Sequence, residues 1–278
     1  MRAGLCSGGG SHGSFGLGQA EKLGNNYDLF HGESTGALIA PLWAIGRFDV
    51  LKKVYFNSTN KDIFNVYPFT ASGNLNIWNL VKRTTALKAT LGETLPLKAQ
   101  IDRYYLKEYF DLLKELNKEV IIGTSNLRRY DFKVEYFSSK DLSFEDFKTI
   151  MWASASPPIY GSIVNYNGTQ YGDAGTREVI NFTTVLDKGA TYIDAIIHRT
   201  KDEDTNLYSS TITRYWDMAG RLLPSLLNTG PVDAIELGAR DARASGCDVN
   251  LIYMPFQPDF GPFQFDPKKM QALYYSTI

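Results

Sequence analysis

Apolar residues in this chain fall into short unbroken runs and longer periodic ones. Residues 3–6, Ala-Gly-Leu-Cys, read as a buried strand, and residues 17–23 as a helix closed by Gly24-Asn25-Asn26. A second strand is expected at residues 27–30, and a buried helix begins at Ala37. Between residues 97 and 118, Tyr105, Leu106, Tyr109, Leu112, Leu113 and Leu116 recur at helical spacing, which predicts one amphipathic helix. Residues 120–124, Val-Ile-Ile-Gly-Thr, are uniformly apolar, as in a strand buried on both faces, and residues 132–137 alternate as a second strand does. A helix from Leu142 stops at Pro157-Pro158. A hairpin follows, residues 163–166 and 169–171 around Asn167-Gly168. The remainder predicts a strand at 192–198, a helix at 207–228 interrupted by Pro224, a helix at 231–244, a strand at 248–254 and a helix at 266–275.

Strands alternating with helices point to an α/β fold, a three-layer α/β/α sandwich with a mostly parallel central sheet. No linker, repeat or low-complexity block divides the chain, so residues 1–278 are expected to form a single domain. Residues 54–78 resist assignment. Aromatic pairs alternate there with Asn, Ser and Thr, and the segment could wall an apolar groove, cover it, or simply pack on the core.

Composition narrows the classes. At 278 residues and 44% hydrophobic content the chain can bury a large core. A formal net charge of −1 gives no general attraction to nucleic acid, and no nucleic-acid partner is expected. Two distant cysteines, Cys6 and Cys247, lack metal-ligand spacing; with no visible export signal or transmembrane run, a reducing, cytoplasmic setting is the expectation. No metal or cofactor is expected.

Two stretches carry chemistry. Phe30-His31-Gly32-Glu33-Ser34-Thr35-Gly36-Ala37 sets a serine between glycines, G-x-S-x-G, where a strand turns sharply into a helix. Such a turn presents the Ser34 hydroxyl at a helix N-terminus, where N–H groups and the helix dipole favour developing negative charge. Ahead of it, Gly8-Gly9-Gly10-Ser11 exposes bare backbone amides able to hold an oxyanion. That loop has no Gly-Lys-Ser/Thr sequel as in a Walker loop, and no acidic residue closes a second strand as in a dinucleotide fold. On neighbouring parallel strands, loop and serine would meet at one sheet edge. Asp173, between small residues at the end of the hairpin, reads alone as a turn aspartate.

Taken in order, Gly8-Gly9-Gly10-Ser11-His12-Gly13, Gly32-Glu33-Ser34-Thr35-Gly36, Ala153-Ser154-Ala155-Ser156-Pro157-Pro158 and Asp173-Ala174-Gly175 resemble the motifs of the patatin-like phospholipase family. The resemblance spans about residues 1–180, and the C-terminal Phe263-Gln264-Phe265-Asp266-Pro267 is also similar. It implies a Ser–Asp dyad with Ser34 as nucleophile and Asp173 as base, and an oxyanion hole from Gly8, Gly9, Gly10 and Ser11. It implies, too, a fatty-acyl ester or phospholipid substrate, with any membrane contact peripheral. An aspartate, with a reference pKa near ~3.9, is a weak base unless partly desolvated beside the serine.

Two positions depart from the family pattern. His12 stands where Arg or Lys is usual, and Ala174 where glycine is usual, at a cost if that position needs positive φ. They keep open a catalytically weak protein that binds lipid or a partner; an acyltransferase or thioesterase using the same serine is a further alternative. His198 follows Ser34 and Asp173 in the order of a Ser–Asp–His enzyme, but such enzymes place several strands before the elbow where this chain has one. The dyad is therefore the favoured reading, with His12 as a stabiliser of the loop.

Overall fold

The computed structural model describes residues 1–70, 76–202 and 232–277. The helix expected at 207–228 and the proline start of the next at Pro231 lie outside the described residues. Eight strands form the sheet among those described: β1 (Arg2–Cys6), β2 (Leu29–Glu33), β3 (Glu119–Asn126), β4 (Val134–Ser138), β5 (Val164–Tyr166), β6 (Thr169–Asp173), β7 (Tyr192–Ile197) and β8 (Asp248–Tyr253). Their order is β5-β6-β3-β2-β1-β7-β8, with β4 also paired to β3. Strands β3, β2, β1, β7 and β8 are mutually parallel, and β4, β6 and β5 join antiparallel. This is the expected α/β sandwich with a mostly parallel sheet.

Strand alternation builds the layers. Ala3 and Leu5 of β1, with Ile193, Ala195 and Ile197 of β7, face one side and pack on Val185, Ile235, Ala239 and Ala242. These belong to the short helix Thr183–Asp187 and the helix Val232–Ala244. Cys6, Phe30, Val120 and Ile122 face the other way into the larger core. That core is roofed by α1 (Gly13–Leu23), α2 (Thr35–Ala44), α3 (Phe48–Tyr55), α6 (Leu95–Tyr104), α7 (Lys107–Glu115), α8 (Phe144–Ser154) and the C-terminal helix Pro267–Tyr275. The Asn167-Gly168 turn takes positive φ at both residues, 45° and 74°, as a two-residue hairpin requires.

Several local expectations are corrected. The helix predicted over 97–118 is two, α6 and α7. Tyr105 buries its ring against Phe144 and Phe147, and Leu106 becomes extended at φ −88°, ψ 154°. Helical periodicity continues through the break because both helices face the same core. Phe132 lies in a turn at φ 47°, so the second strand begins at Val134. Helix α1 starts at Gly13, ahead of the apolar run. The unassigned 54–78 segment holds α4 (Asn60–Ile63), capped by Thr59 and Asp62, and ends in α5 (Ile77–Thr85).

Candidate active site

Ser34 sits at the corner between β2 and α2 with φ 54° and ψ −121°. A side-chain-bearing residue in that region carries roughly 1–3 kcal/mol of strain, the hallmark of a nucleophile elbow. Gly32 and Gly36 make the corner possible. A Cβ on Gly32 would lie 2.2 Å from the Gly36 carbonyl oxygen, and one on Gly36 2.0 Å from the Cys6 carbonyl oxygen. Ser154, the last residue of α8, holds the corner from below. Its hydroxyl accepts from the Ser34 amide at 3.0 Å and donates to the Gly123 carbonyl at 2.7 Å.

Asp173 arrives through the pairing of β3. Residues Ile121 to Gly123 pair with both β2 and β4, whereas Thr124 and Ser125 pair with β4 and β6. Strand β6 therefore takes up the same edge of β3 where β2 leaves it. Asp173 lies opposite Thr124, one step beyond the Glu33–Gly123 pair, and so next to Ser34. The Ser34 hydroxyl donates to Asp173 Oδ2 at 2.6 Å, and the Gly175 amide donates to Oδ1 at 2.8 Å. The Asp173 amide donates to the Ser156 carbonyl at 2.9 Å. One short motif, Ser154 to Ser156, thus fixes the backbone of both Ser34 and Asp173. Burial raises the Asp173 pKa to about 7, against the lowering effect of its two hydrogen bonds.

The glycine loop lies over Ser34; a Cβ on Gly8 would come within 3.2 Å of the Ser34 Cβ. Of the four amides expected to face an oxyanion, two are already engaged. Gly8 N–H donates to the Val179 carbonyl at 3.1 Å and Ser11 N–H to the Pro262 carbonyl at 2.8 Å. The Gly9 and Gly10 amides have no acceptor among the described residues. Gly10 adopts φ 56°, and a Cβ there would fall 2.0 Å from the Pro262 oxygen. The loop is latched by residues 260–262: Ser11 Oγ donates to the Gly261 carbonyl at 3.1 Å and His12 Nε2 to the Phe260 carbonyl at 2.8 Å.

His12 is buried, with its pKa lowered by desolvation, and anchors the loop through its bond to the Phe260 carbonyl. Ala174 takes no positive φ and is fully buried in the short turn after Asp173, so the methyl group is accommodated without backbone strain. His198 bonds through Nδ1 to the Ser7 carbonyl at 2.8 Å, with Nε2 4.0 Å from Cys6 Sγ. Burial lowers its pKa to about 4, and it bonds neither Ser34 nor Asp173. Its side chain lies against the glycine loop: a Cβ on Gly9 would come within 2.3 Å of the His198 Cβ and 2.7 Å of its ring.

Sequence reasoning passed over three contributors. Ser154 lay inside a quoted motif, but nothing local says that its hydroxyl reaches the elbow. Residues 260–262 are too far along the chain to suggest contact with residue 11. Glu33 is wholly buried behind the elbow, 3.2 Å from His31 Nε2. Desolvation first, then the Glu178 and Asp173 charges, raises its pKa well above the usual carboxylate value. Burial lowers that of His31 to about 3, so the buried site disfavours charge on both groups.

Gly10 and Ser34 line an apolar pocket with about 910 Å³ of empty space, open solvent at its mouth included. Helix α2 contributes Leu38 and Leu42, α3 Leu51, Val54 and Tyr55, α6 Leu97 and Ile101, and the C-terminal segment Phe263 and Phe265. The 54–78 segment gives it Val54, Tyr55, Ser58, Ile63 and Phe64, the walling role that was one of three expectations.

A family model described as patatin-like phospholipase matches residues 5–186, about two thirds of the chain, and the chain belongs to that family. The family suggests a lipid hydrolase. No curated protein matches. Among solved structures, the crystal structure of VipD from Legionella pneumophila is similar over 99% of this chain and 67% of its own, at 12% identity and a TM-score of 0.36.

Proposed function

We propose that the protein hydrolyses fatty-acyl esters of phospholipids or related lipids through an acyl-Ser34 intermediate. The observation that carries this reading is the 2.6 Å hydrogen bond to Asp173 from Ser34, which also lines an apolar pocket. The acyl chain lies in the pocket and its carbonyl carbon meets Ser34 Oγ. As Oγ attacks, its proton passes to Asp173, and the carbonyl oxygen becomes an oxyanion held by the Gly9 and Gly10 amides. Each such donor is worth on the order of 10²–10³ in rate. The carbon–oxygen bond to the alcohol then breaks, and the leaving oxygen takes the proton from Asp173. Water repeats the sequence on the acyl ester, giving its proton to Asp173 as it attacks and releasing the fatty acid and free Ser34.

The raised pKa of Asp173 makes it a better base than an ordinary aspartate near neutral pH. Nothing at His12 or Ala174 distorts the site, so the departures from the family pattern do not favour a purely binding role. The test is fatty-acid release from phospholipid vesicles by wild type and Ser34→Ala, with folding checked by circular dichroism. Release by wild type alone supports the reading, and equal turnover by the variant contradicts it. Product formed on an added acceptor alcohol distinguishes a transferase from a hydrolase.

A further inference from the structure

Two polar side chains, Asn79 and Arg83, tie helix α5 to the rest of the fold. Asn79 Nδ2 donates to the Tyr67 carbonyl at 3.0 Å; Arg83 donates to the Thr90 carbonyl and pairs with Glu93 at 2.8 Å. On its outer side, Trp78, Val81, Lys82 and Thr85 follow the i, i+3, i+4, i+7 spacing that puts side chains on one face. Trp78 is 84% exposed and Val81 50%, and Leu87, just past the helix at φ 51°, is 93% exposed. A surface helix ordinarily turns such apolar side chains toward the core. Single exposed apolar residues need no explanation, but this group shares one short stretch and includes a tryptophan.

The charge is equally one-sided. Residues 66–92 contain Lys82, Arg83 and Lys88 and no aspartate or glutamate. Arg83 is paired with Glu93, whereas Lys82 and Lys88 form no salt bridge among the described residues. The stretch is also tied to the pocket. The Asn76 amide donates to the Pro68 carbonyl at 2.9 Å, the Phe69 ring stacks on Phe263 at 5.3 Å, and Phe263 lines the pocket.

We propose that the outer face of α5, with Leu87, docks onto an anionic phospholipid surface and sets the pocket beside the bilayer from which its substrate is drawn. The inference rests on the lipid-hydrolase reading of the site. A tryptophan, a valine and a lysine at helical spacing on α5, with exposed Leu87 and Lys88 just past its end, are what an interfacial segment needs: the apolar groups enter the headgroup boundary and the lysines meet anionic headgroups. The basic and apolar groups are complementary to such a surface together, and neither alone specifies it.

The experiment compares wild type, Trp78→Ser/Leu87→Ser and Lys82→Glu/Lys88→Glu in co-sedimentation with phosphatidylcholine vesicles, with and without phosphatidylserine. Hydrolysis of a soluble short-chain ester is measured in parallel. Wild type should bind the phosphatidylserine vesicles more tightly, and less so at high salt. The charge variant should bind them at least about 30-fold more weakly, and the apolar variant about tenfold or more. Soluble-ester turnover should stay near wild type in both. No vesicle binding by wild type, or equal binding by the variants, overturns the proposal. A wild-type dimer that the apolar variant dissociates would assign the face to a second copy and overturn it as well. Vesicle binding that is lost as expected, without turnover of any ester by wild type, leaves docking standing and sinks the hydrolase reading instead.

Discussion

The hydroxyl of Ser154 accepts a hydrogen bond from the amide of Ser34 and passes one on to the Gly123 carbonyl, tying the end of α8 to the corner of the elbow and to β3. Ser154→Ala leaves a buried carbonyl and a strained corner amide without this partner. The expected cost is about 1–3 kcal/mol of stability. If the elbow shifts, kcat should fall about tenfold to a hundredfold, with KM nearly unchanged. Urea denaturation and steady-state kinetics on a soluble ester check this; wild-type kcat in the variant would show that the corner holds itself.

In the proposed mechanism Asp173 must be ionised to take the Ser34 proton, and burial raises its pKa to about 7. The rate kcat/KM should therefore rise about tenfold per pH unit below that value and level off above it. A solvated aspartate would put this limb near pH ~4. A pH–rate profile on an ester with no ionisation of its own makes the measurement, and a flat profile between about pH 5 and 8 would contradict the assignment.

The same shift has a thermodynamic consequence. The unfolded carboxyl, with the ordinary aspartate pKa of 3.8, is ionised between about pH 4 and 7 while the folded one keeps its proton. Folding stability from this group therefore declines as pH rises through that window and is constant above it. The Asp173→Asn variant carries an amide there, with no such proton to lose. Its stability relative to wild type should grow by about 2–3 kcal/mol between about pH 5 and pH 8, while its activity is lost. A difference independent of pH, read from urea denaturation at the two values, would show that the carboxyl titrates normally.

Leu97 and Ile101, one turn apart on α6, line the pocket. Ile101→Trp should shorten the space for an acyl chain. Hydrolysis of palmitoyl esters should fall about tenfold or more relative to butyryl esters, provided thermal melting shows that the fold is retained. An unchanged ratio would place the chain elsewhere.

Much of this arrangement was legible in the sequence because its pieces are local. The elbow follows from Gly32 and Gly36 around Ser34, the hairpin from Asn167-Gly168, and the layers from strands alternating with helices. What the sequence hid depends on pairing at a distance. Asp173 alone resembles any turn aspartate; only the handover of the β3 edge from β2 to β6 brings it to Ser34, 139 residues away. The family motifs named it where spacing could not. Which loop amides remain available was equally invisible, because the Ser11 amide is claimed by Pro262 and the Gly8 amide by Val179. The break between α6 and α7 is a packing decision made by Tyr105 against α8, and periodicity reads straight through it.

Labelling with a fluorophosphonate, followed by peptide mass spectrometry, tests the Ser34–Asp173 pair most directly. One label per chain on Ser34 is predicted, formed at least about a hundredfold more slowly in Asp173→Asn. A label on another residue, no label at all, or an undiminished rate in that variant would contradict it.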